Sequence, residues 1–269
     1  MLDIHHHLLF GLDDGPADIE TSVEMALASI ADGVTHIACT PHASYDYEYK
    51  PEVNSERLAA VRERLDERIE LGIGCDFHLS HENIEDAIAH PDKYSINGKG
   101  YILVEFPDFS IPPSISDVFF RMQIAGMTIV LTHPERNPTI VTHPEWLREW
   151  LRHGCLVQVT AASFSGRFGK SAQRFSDWLL DNNWIHFVAT DAHNMTSRPP
   201  HLKEAYDYVA ARRGIAEAER LFVLNPRAAW DGTPLSEQPD PVALWEDSRI
   251  RHIATPGARR GFFARIFGG

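Results

Sequence analysis

The sequence is short of cysteine, of positive charge and of long apolar runs, and each shortage excludes something. Only Cys39, Cys75 and Cys155 occur in 269 residues. An odd, scattered set is no disulfide framework and suits a reducing cytoplasm. None of the three begins a C-x5-R pattern, so a cysteine nucleophile poised for phosphate is not encoded. Lys+Arg number 25 against Asp+Glu 38, a formal net charge of -13, and no basic groove is evident. Such a body is a poor partner for nucleic acid. No window reaches the roughly 20 apolar residues of a membrane-spanning helix. The opening "MLDIHHHLLF" has neither the basic start nor the apolar stretch of a secretory signal. These absences lead us to expect a cytoplasmic protein with no transmembrane segment and no nucleic-acid partner.

What is plentiful is histidine, 15 residues in all. Their placement depends on the elements. Short runs rich in β-branched and aromatic residues, "LDIHHH", "THIACTP", "GIGCDFHLS", "YILVEFP", "TIVLTHP", "CLVQVTA" and "IHFVATDA", read as seven strands. Between them lie helix-period stretches at 17–32, 53–71, 114–126, 144–153 and 171–183. In the first, Ile19, Val23, Leu27 and Ile30 share one face and Gly33 supplies the stop; Gly72, Gly126 and Gly154 are expected to close three others. Strand then helix, repeated about seven times, predicts a parallel α/β fold. The expected α/β body spans 1–236. A linker and a basic-apolar tail, "RRGFFARIFGG", fill 237–269 and are expected to be mobile.

On this scheme six of the seven strands carry a metal-capable side chain at or near the carboxyl end. His5 and His7 end the first, His42 follows the second, and Asp76 and His78 lie in the third. Glu105 ends the fourth, His133 the fifth, Asp191 and His193 the seventh. In parallel α/β folds such ends converge in space and gather ligands. One His at a strand end is usually an ordinary loop residue; six such ends are not. His5 and His7, two apart, share one side of a strand and can share one ion, so His6 reads as a non-ligand. The run is embedded in a β-pattern, which sets it apart from a purification tag.

The motifs "DIHHH", "GLDDG", "TPH", "VEFP", "THPER", "TDAHN" and "RPPH…EAYDYV" resemble the PHP (polymerase and histidinol phosphatase) superfamily, from Met1 to about Arg227. More closely they are similar to the bacterial metal-dependent protein-tyrosine phosphatases of capsule and exopolysaccharide loci. The resemblance implies a distorted barrel of seven β/α units with mostly parallel strands. It implies a cluster of three divalent ions (Mn, Fe or Zn, with Mn favoured). His5, His7 and Asp191 would hold the first ion. Glu105 and His133 would hold the second, with Asp76 bridging. Asp14, His42 and His193 would hold the third. Adjacent Asp13 competes with Asp14, and His78 is an alternative to Asp76, which stands where many relatives have Glu. Arg136 and Arg198 fall at positions the family uses around phosphate; Arg never deprotonates, so Arg136 reads as an electrostatic stabiliser. The implied reaction is hydrolysis of protein phosphotyrosine by a metal-activated hydroxide. The implied partner is a polysaccharide-export tyrosine kinase with a Tyr-rich tail. A small-molecule phosphomonoesterase of the histidinol-phosphatase type, a metal-stabilised binding module and a PHP nuclease are the competing readings. "SYDYEYKP" after His42 could stack on a phosphotyrosine ring or be a loop without a role.

Overall fold

The structure, a computed structural model, describes residues 1–106, 111–112 and 114–245. Nine parallel strands form among the described residues: β1 (Leu2–His6), β2 (His36–Cys39), β3 (His42–Ala43), β4 (Glu70–Ile73), β5 (Asp76–His78), β6 (Tyr101–Glu105), β7 (Thr128–Thr132), β8 (Leu156–Thr160) and β9 (Phe187–Ala189). They divide into two sheets, β1-β2-β4 and β3-β5-β6-β7-β8-β9. β2 with β3, and β4 with β5, are halves of single strands. Pro41 has no N–H for the ladder and interrupts the first. Backbone bonds still cross the breaks, Gly74 N to Cys39 O at 2.8 Å and Asp76 N to Pro41 O at 3.1 Å. The ring closes where His6 bridges Ala192, with His7 N donating to Ala192 O at 2.9 Å and Asp191 N to His5 O at 2.8 Å. Seven strand positions around a closed barrel match the seven runs read in the sequence.

Two apolar layers follow from strand alternation. Ile37, Ile102, Val104, Ile129, Leu131, Val157, Val159 and Val188 join the larger core with the surrounding helices. Ile4, Ala38, Leu103, Val130, Phe187 and Ala189 form a separate inner cluster with Ile96, Tyr101 and Ala229. Ala229 belongs to the helix Asn225–Asp231, whose Trp230 packs against the same cluster. Sequence patterning fades in this region, yet it helps fill the barrel.

Several helices differ from expectation in instructive ways. The helix Ile19–Ala31 buries Ser22, Met25, Ala26 and Ser29, while Leu27 is 38% exposed. Small side chains let this helix sit close to the barrel, so the aliphatic stripe is only its flank. The helix expected over 53–71 runs Pro51–Leu65 and stops at Asp66 and Glu67, both with positive φ. Gly72 is no helix stop; it lies in β4, where a Cβ would come within 2.7 Å of the Trp230 ring. Helices Ile115–Ile124, Pro144–Arg152 and Gly169–Asp181 fall where the pattern places them, with Gly126 and Gly154 at positive φ after the first two.

Residues 237–245, expected as mobile linker, lie against the barrel. Asn183 Nδ2 donates to Asp240 O at 2.9 Å, Trp184 Nε1 to Val242 O at 3.0 Å, and Arg152 Nε to Leu244 O at 2.7 Å. The remainder of the expected tail, 246–269, lies outside the described residues. No helix among the described residues is long and apolar enough to cross a membrane.

A candidate metal centre at the mouth of the barrel

Alternation alone would turn Ile4 and His5 to opposite sides. Ile4 nevertheless joins the inner apolar cluster while its neighbour His5 faces Asp76 and Asp191, Nε2 lying 3.5 and 3.3 Å from their carboxylates. The pairing explains this. Asp3 pairs Ile37 and His6 pairs Cys39, so β1 carries one extra residue, a bulge. Bulges re-aim side chains next to functional sites. His7 Nε2 then lies 3.3 Å from His5 Nε2 and 3.5 Å from Asp191 Oδ1. His6 is fully buried and belongs to none of the ligand groupings.

The other strand ends converge on the same place. His42 Nδ1 is 3.1 Å from Asp76 Oδ2 and 3.7 Å from Glu105 Oε2. His133 Nε2 is 3.5 Å from Glu105 Oε1. Asp14 Oδ1 lies 3.4 Å from His42 Nε2 and 3.2 Å from His193 Nε2. Four overlapping groups have donor atoms within 4.8 Å of one another: His7-Asp14-His42-His193, His42-Asp76-His78-Glu105, His5-His7-Asp76 and His5-His133-Asp191. The nine side chains singled out in the sequence as ligands are therefore together. Arg136 and Arg198 both pair with Asp191 Oδ2, and the Arg136 guanidinium lies over the Phe168 ring at 4.4 Å. A cavity of about 70 Å³ opens between Glu105, His133 and Arg136.

Geometry separates the alternatives left open by the sequence. Asp13 is committed elsewhere: its Oδ2 accepts from His7 Nδ1 at 2.7 Å and from His42 N at 3.1 Å, its Oδ1 from Gly15 N at 3.0 Å. Asp14 is the one turned to the cluster. Gly15 permits the turn, because a Cβ there would meet His7 O at 2.8 Å. Asp76 and His78 both face inward, His78 against Glu105. Two further ligand candidates, His133 and Asp191, hold left-handed φ of 34° and 52°. For residues other than glycine this strain costs on the order of 1–3 kcal/mol and persists where the surroundings enforce it. Here His133 N is tied to Gln158 O and Asp191 N to His5 O, both at 2.8 Å.

The electrostatics are those of a site built for cations. Burial would lower His5, but the charges of Asp76 and Asp191 outweigh it and raise its pKa to about 9. His42 is raised against burial to about 11 by Asp14 and Asp76. Burial and then Asp76 push Glu105 up, whereas Asp76 and Asp191 are held well below the carboxylate range by the histidines and, for Asp191, the two arginines. Burial and Arg136 push His133 down. Asp76 Oδ1 and Oδ2, Asp191 Oδ1, Glu105 Oε2, His42 Nδ1 and His193 Nε2 are buried with no hydrogen bond. Buried polar atoms are normally paired, and unpaired carboxylate oxygens grouped with imidazole nitrogens fit divalent ions.

Sequence reasoning missed the supports. Gln158 stands alone as a polar residue in "LVQVT" and its Oε1 accepts from His5 Nδ1 at 2.9 Å, which turns Nε2 to the cluster. That orients a ligand in the way metal sites require. Its signal was visible: a buried polar residue in an apolar strand, the one strand without a ligand at its end. Glu135, buried between His133 and Arg136, accepts from Thr160 N at 2.9 Å and Ser163 Oγ at 2.7 Å and braces the turn to β8. Asp3 accepts from Thr190 N at 3.0 Å and from its hydroxyl, and so clamps β1 to the residue before Asp191. The three tyrosines of "SYDYEYKP" part ways. Tyr45 is 99% exposed, Tyr49 is buried with its hydroxyl donating to Gly74 O at 2.9 Å, and Tyr47 stacks on His42 at 5.8 Å.

Comparison with known proteins agrees with the motifs. A family model described as capsular polysaccharide synthesis, CpsB/CapC, matches residues 1–230. The tyrosine-protein phosphatase YwqE of Bacillus subtilis is 35% identical over 243 residues, 89% of this chain and 95% of that protein. The tyrosine-protein phosphatase CpsB of Streptococcus pneumoniae is 29% identical over 236 residues, 84% of this chain and 97% of that one. A crystal structure from work on these two proteins, described as unique metal-dependent tyrosine phosphatases, superposes with a TM-score of 0.83 at 33% identity, covering 90% of this chain and 99% of the other.

Proposed function

This chain belongs to the CpsB/CapC family of capsular polysaccharide synthesis, and from that premise we propose that it is a metal-dependent phosphatase that removes phosphate from tyrosine in proteins. The observation that carries the reading is the set of buried carboxylate and imidazole atoms at the barrel mouth, grouped within 4.8 Å of one another, several without a hydrogen bond, and bordered by two arginines. His5, His7 and Asp191 would hold one ion. Glu105 and His133, with Asp76 shared, would hold a second, and Asp14, His42 and His193 a third. The mixed His and carboxylate donors suit Mn, Fe or Zn, and Mn is our assignment. Bound ions supply hydroxide near neutral pH and neutralise phosphate oxygens.

The chain's own side chains do the rest. Arg136 and Arg198 present guanidinium groups that pair with two phosphate oxygens each. Both now share Asp191 Oδ2, so a phosphate arriving beside them exchanges one anionic partner for another. Phe168 keeps Arg136 flat and in place. Tyr47, stacked on His42, offers a ring face near the entrance for the substrate phenyl group. A phenolate leaves readily, its parent pKa being about 10, so no strong acid is needed. The three cysteines take no part: all are buried and free, and burial raises the Cys155 thiol to about 12 and pushes the Cys39 and Cys75 thiols up as well. A thiolate nucleophile is therefore not on offer. The substrate we assign is a tyrosine kinase of polysaccharide export, met in the cytoplasm.

The test is hydrolysis of a phosphotyrosine peptide after chelation and re-addition of single metals, beside sugar and amino-alcohol phosphates. Peptide turnover restored by Mn supports the reading. Restored turnover confined to the small phosphates would replace it with the small-molecule phosphomonoesterase, and metal uptake without any turnover would leave a binding module.

A further inference from the structure

Beside the two arginines the surface continues into a groove of about 240 Å³ that nothing so far has used. Its floor is Ala161, Ala162, Phe164 and Pro199, and Arg167 and Glu204 stand along it. Both walls lead directly to the centre. Phe168, next to Arg167, carries Arg136, and Pro199 follows Arg198. Arg167 Nη1 ties the walls together, donating to Thr196 O at 3.3 Å and Ser197 O at 3.4 Å. The segment that carries Arg167 runs against the charge of the whole chain. Residues 161–176, "AASFSGRFGKSAQRFS", contain Arg167, Lys170 and Arg174 and no acidic residue, in a chain whose formal net charge is -13. All three basic residues are exposed.

We propose that this groove is a peptide subsite that takes the residues next to the phosphotyrosine and prefers an acidic flank, with Arg167 as its specificity residue. The inference rests on the phosphotyrosine reading above and deepens it. A small, largely apolar floor receives the peptide backbone and short side chains. Arg167 in the lining attracts carboxylates and Glu204 in the lining repels them, which gives the bound peptide a direction. Rim charges of this kind set partner choice and on-rate more than bulk affinity. An overall acidic enzyme thereby acquires one locally basic approach to an acidic substrate.

The experiment compares kcat/KM of the metal-loaded wild type, Arg167→Glu and Ala162→Trp on three substrates. These are a phosphotyrosine peptide with acidic flanks, the same peptide with neutral flanks, and p-nitrophenyl phosphate. The wild type is expected to prefer the acidic peptide. Arg167→Glu should lose about tenfold on it, of the order that reversing one rim charge gives, while p-nitrophenyl phosphate is unchanged. Ala162→Trp fills the floor and should slow both peptides but not p-nitrophenyl phosphate. Equal losses on all three substrates would overturn the proposal, because Arg167 would then act only through the Arg198 segment. So would acidic-peptide rates at the wild-type level in both variants, or a wild type indifferent to flanks. A wild type that hydrolyses no phosphotyrosine at all, while turning over small phosphates, would instead sink the reading beneath.

Discussion

The inside of the barrel has two levels, and the same strands build both. Below, Ile4, Leu103, Val130, Phe187 and Ala189 make an apolar plug. Above, one to three residues further along the same strands, His5, Glu105, His133 and Asp191 meet, and Glu105 Oε2 and Asp191 Oδ1 make no hydrogen bond. The lower level is buried and apolar and contributes stability. The upper level breaks several rules of packing: buried carboxylate oxygens without a hydrogen bond, imidazoles in contact, left-handed backbone at His133 and Asp191. Real proteins break such rules at functional sites. The buried apolar plug lies directly beneath the cluster on the same strands.

The largest expected effect separates the two levels outright. His7→Ala and Asp191→Ala should each lower phosphotyrosine hydrolysis by about a thousandfold or more, the scale of losing a metal's contribution to the barrier. Near-UV circular dichroism should stay native, since the plug is untouched. Normal turnover in either variant would contradict the ligand assignment. Next comes the converse, Leu103→Ala, which opens a cavity in the plug two residues below Glu105. Urea unfolding should show a loss of about 2–5 kcal/mol, while kcat per folded, metal-loaded molecule changes little. If Leu103→Ala instead cut kcat at unchanged stability, the two levels would not be separable.

Much of this division was legible beforehand, and its limits have physical causes. Strand ends could be read because the apolar runs are short and sharply bounded, so Glu105, His133 and Asp191 stood out as the first metal-capable residues after them. The bulge in β1 could not be read, because an extra residue in one strand leaves no trace in composition; only pairing with β2 reveals it. Asp13 and Asp14 are chemically equal, and a single turn, enforced by the space Gly15 leaves, decides which one points inward. The stripe of Ile19, Val23, Leu27 and Ile30 misled because a helix close to a barrel buries its small residues, Ser22, Ala26 and Ser29. Helix Asn225–Asp231 escaped notice for a related reason. Its contribution is one Ala and one Trp inserted at the barrel's foot, too few residues to make a period.

The smallest prediction sharpens the contrast through one residue type in two settings. His5 at the mouth faces carboxylates and is raised to about 9; in ion-free protein its protonation favours the fold fully below pH 6.5, and that support is lost as pH rises through 9. His186, beside the foot of β9, has the opposite sign. Its Nδ1 accepts from Val157 N at 3.1 Å, and burial with the charge of Arg220 lowers it to about 3. The unfolded chain therefore takes up a proton near pH 6.5 that the fold refuses. Stability is complete above pH 6.5 and is lost as pH falls towards 3, by at most about 1.4 kcal/mol per pH unit. His186→Asn keeps an acceptor for Val157 N and cannot titrate. Urea unfolding at pH 7, 6 and 5 should show the variant losing less stability with acid than the wild type, the difference isolating His186 because the mouth is common to both proteins. Parallel curves would mean that His186 protonates in the folded state as readily as in the unfolded one, and that its surroundings impose no cost on the charge.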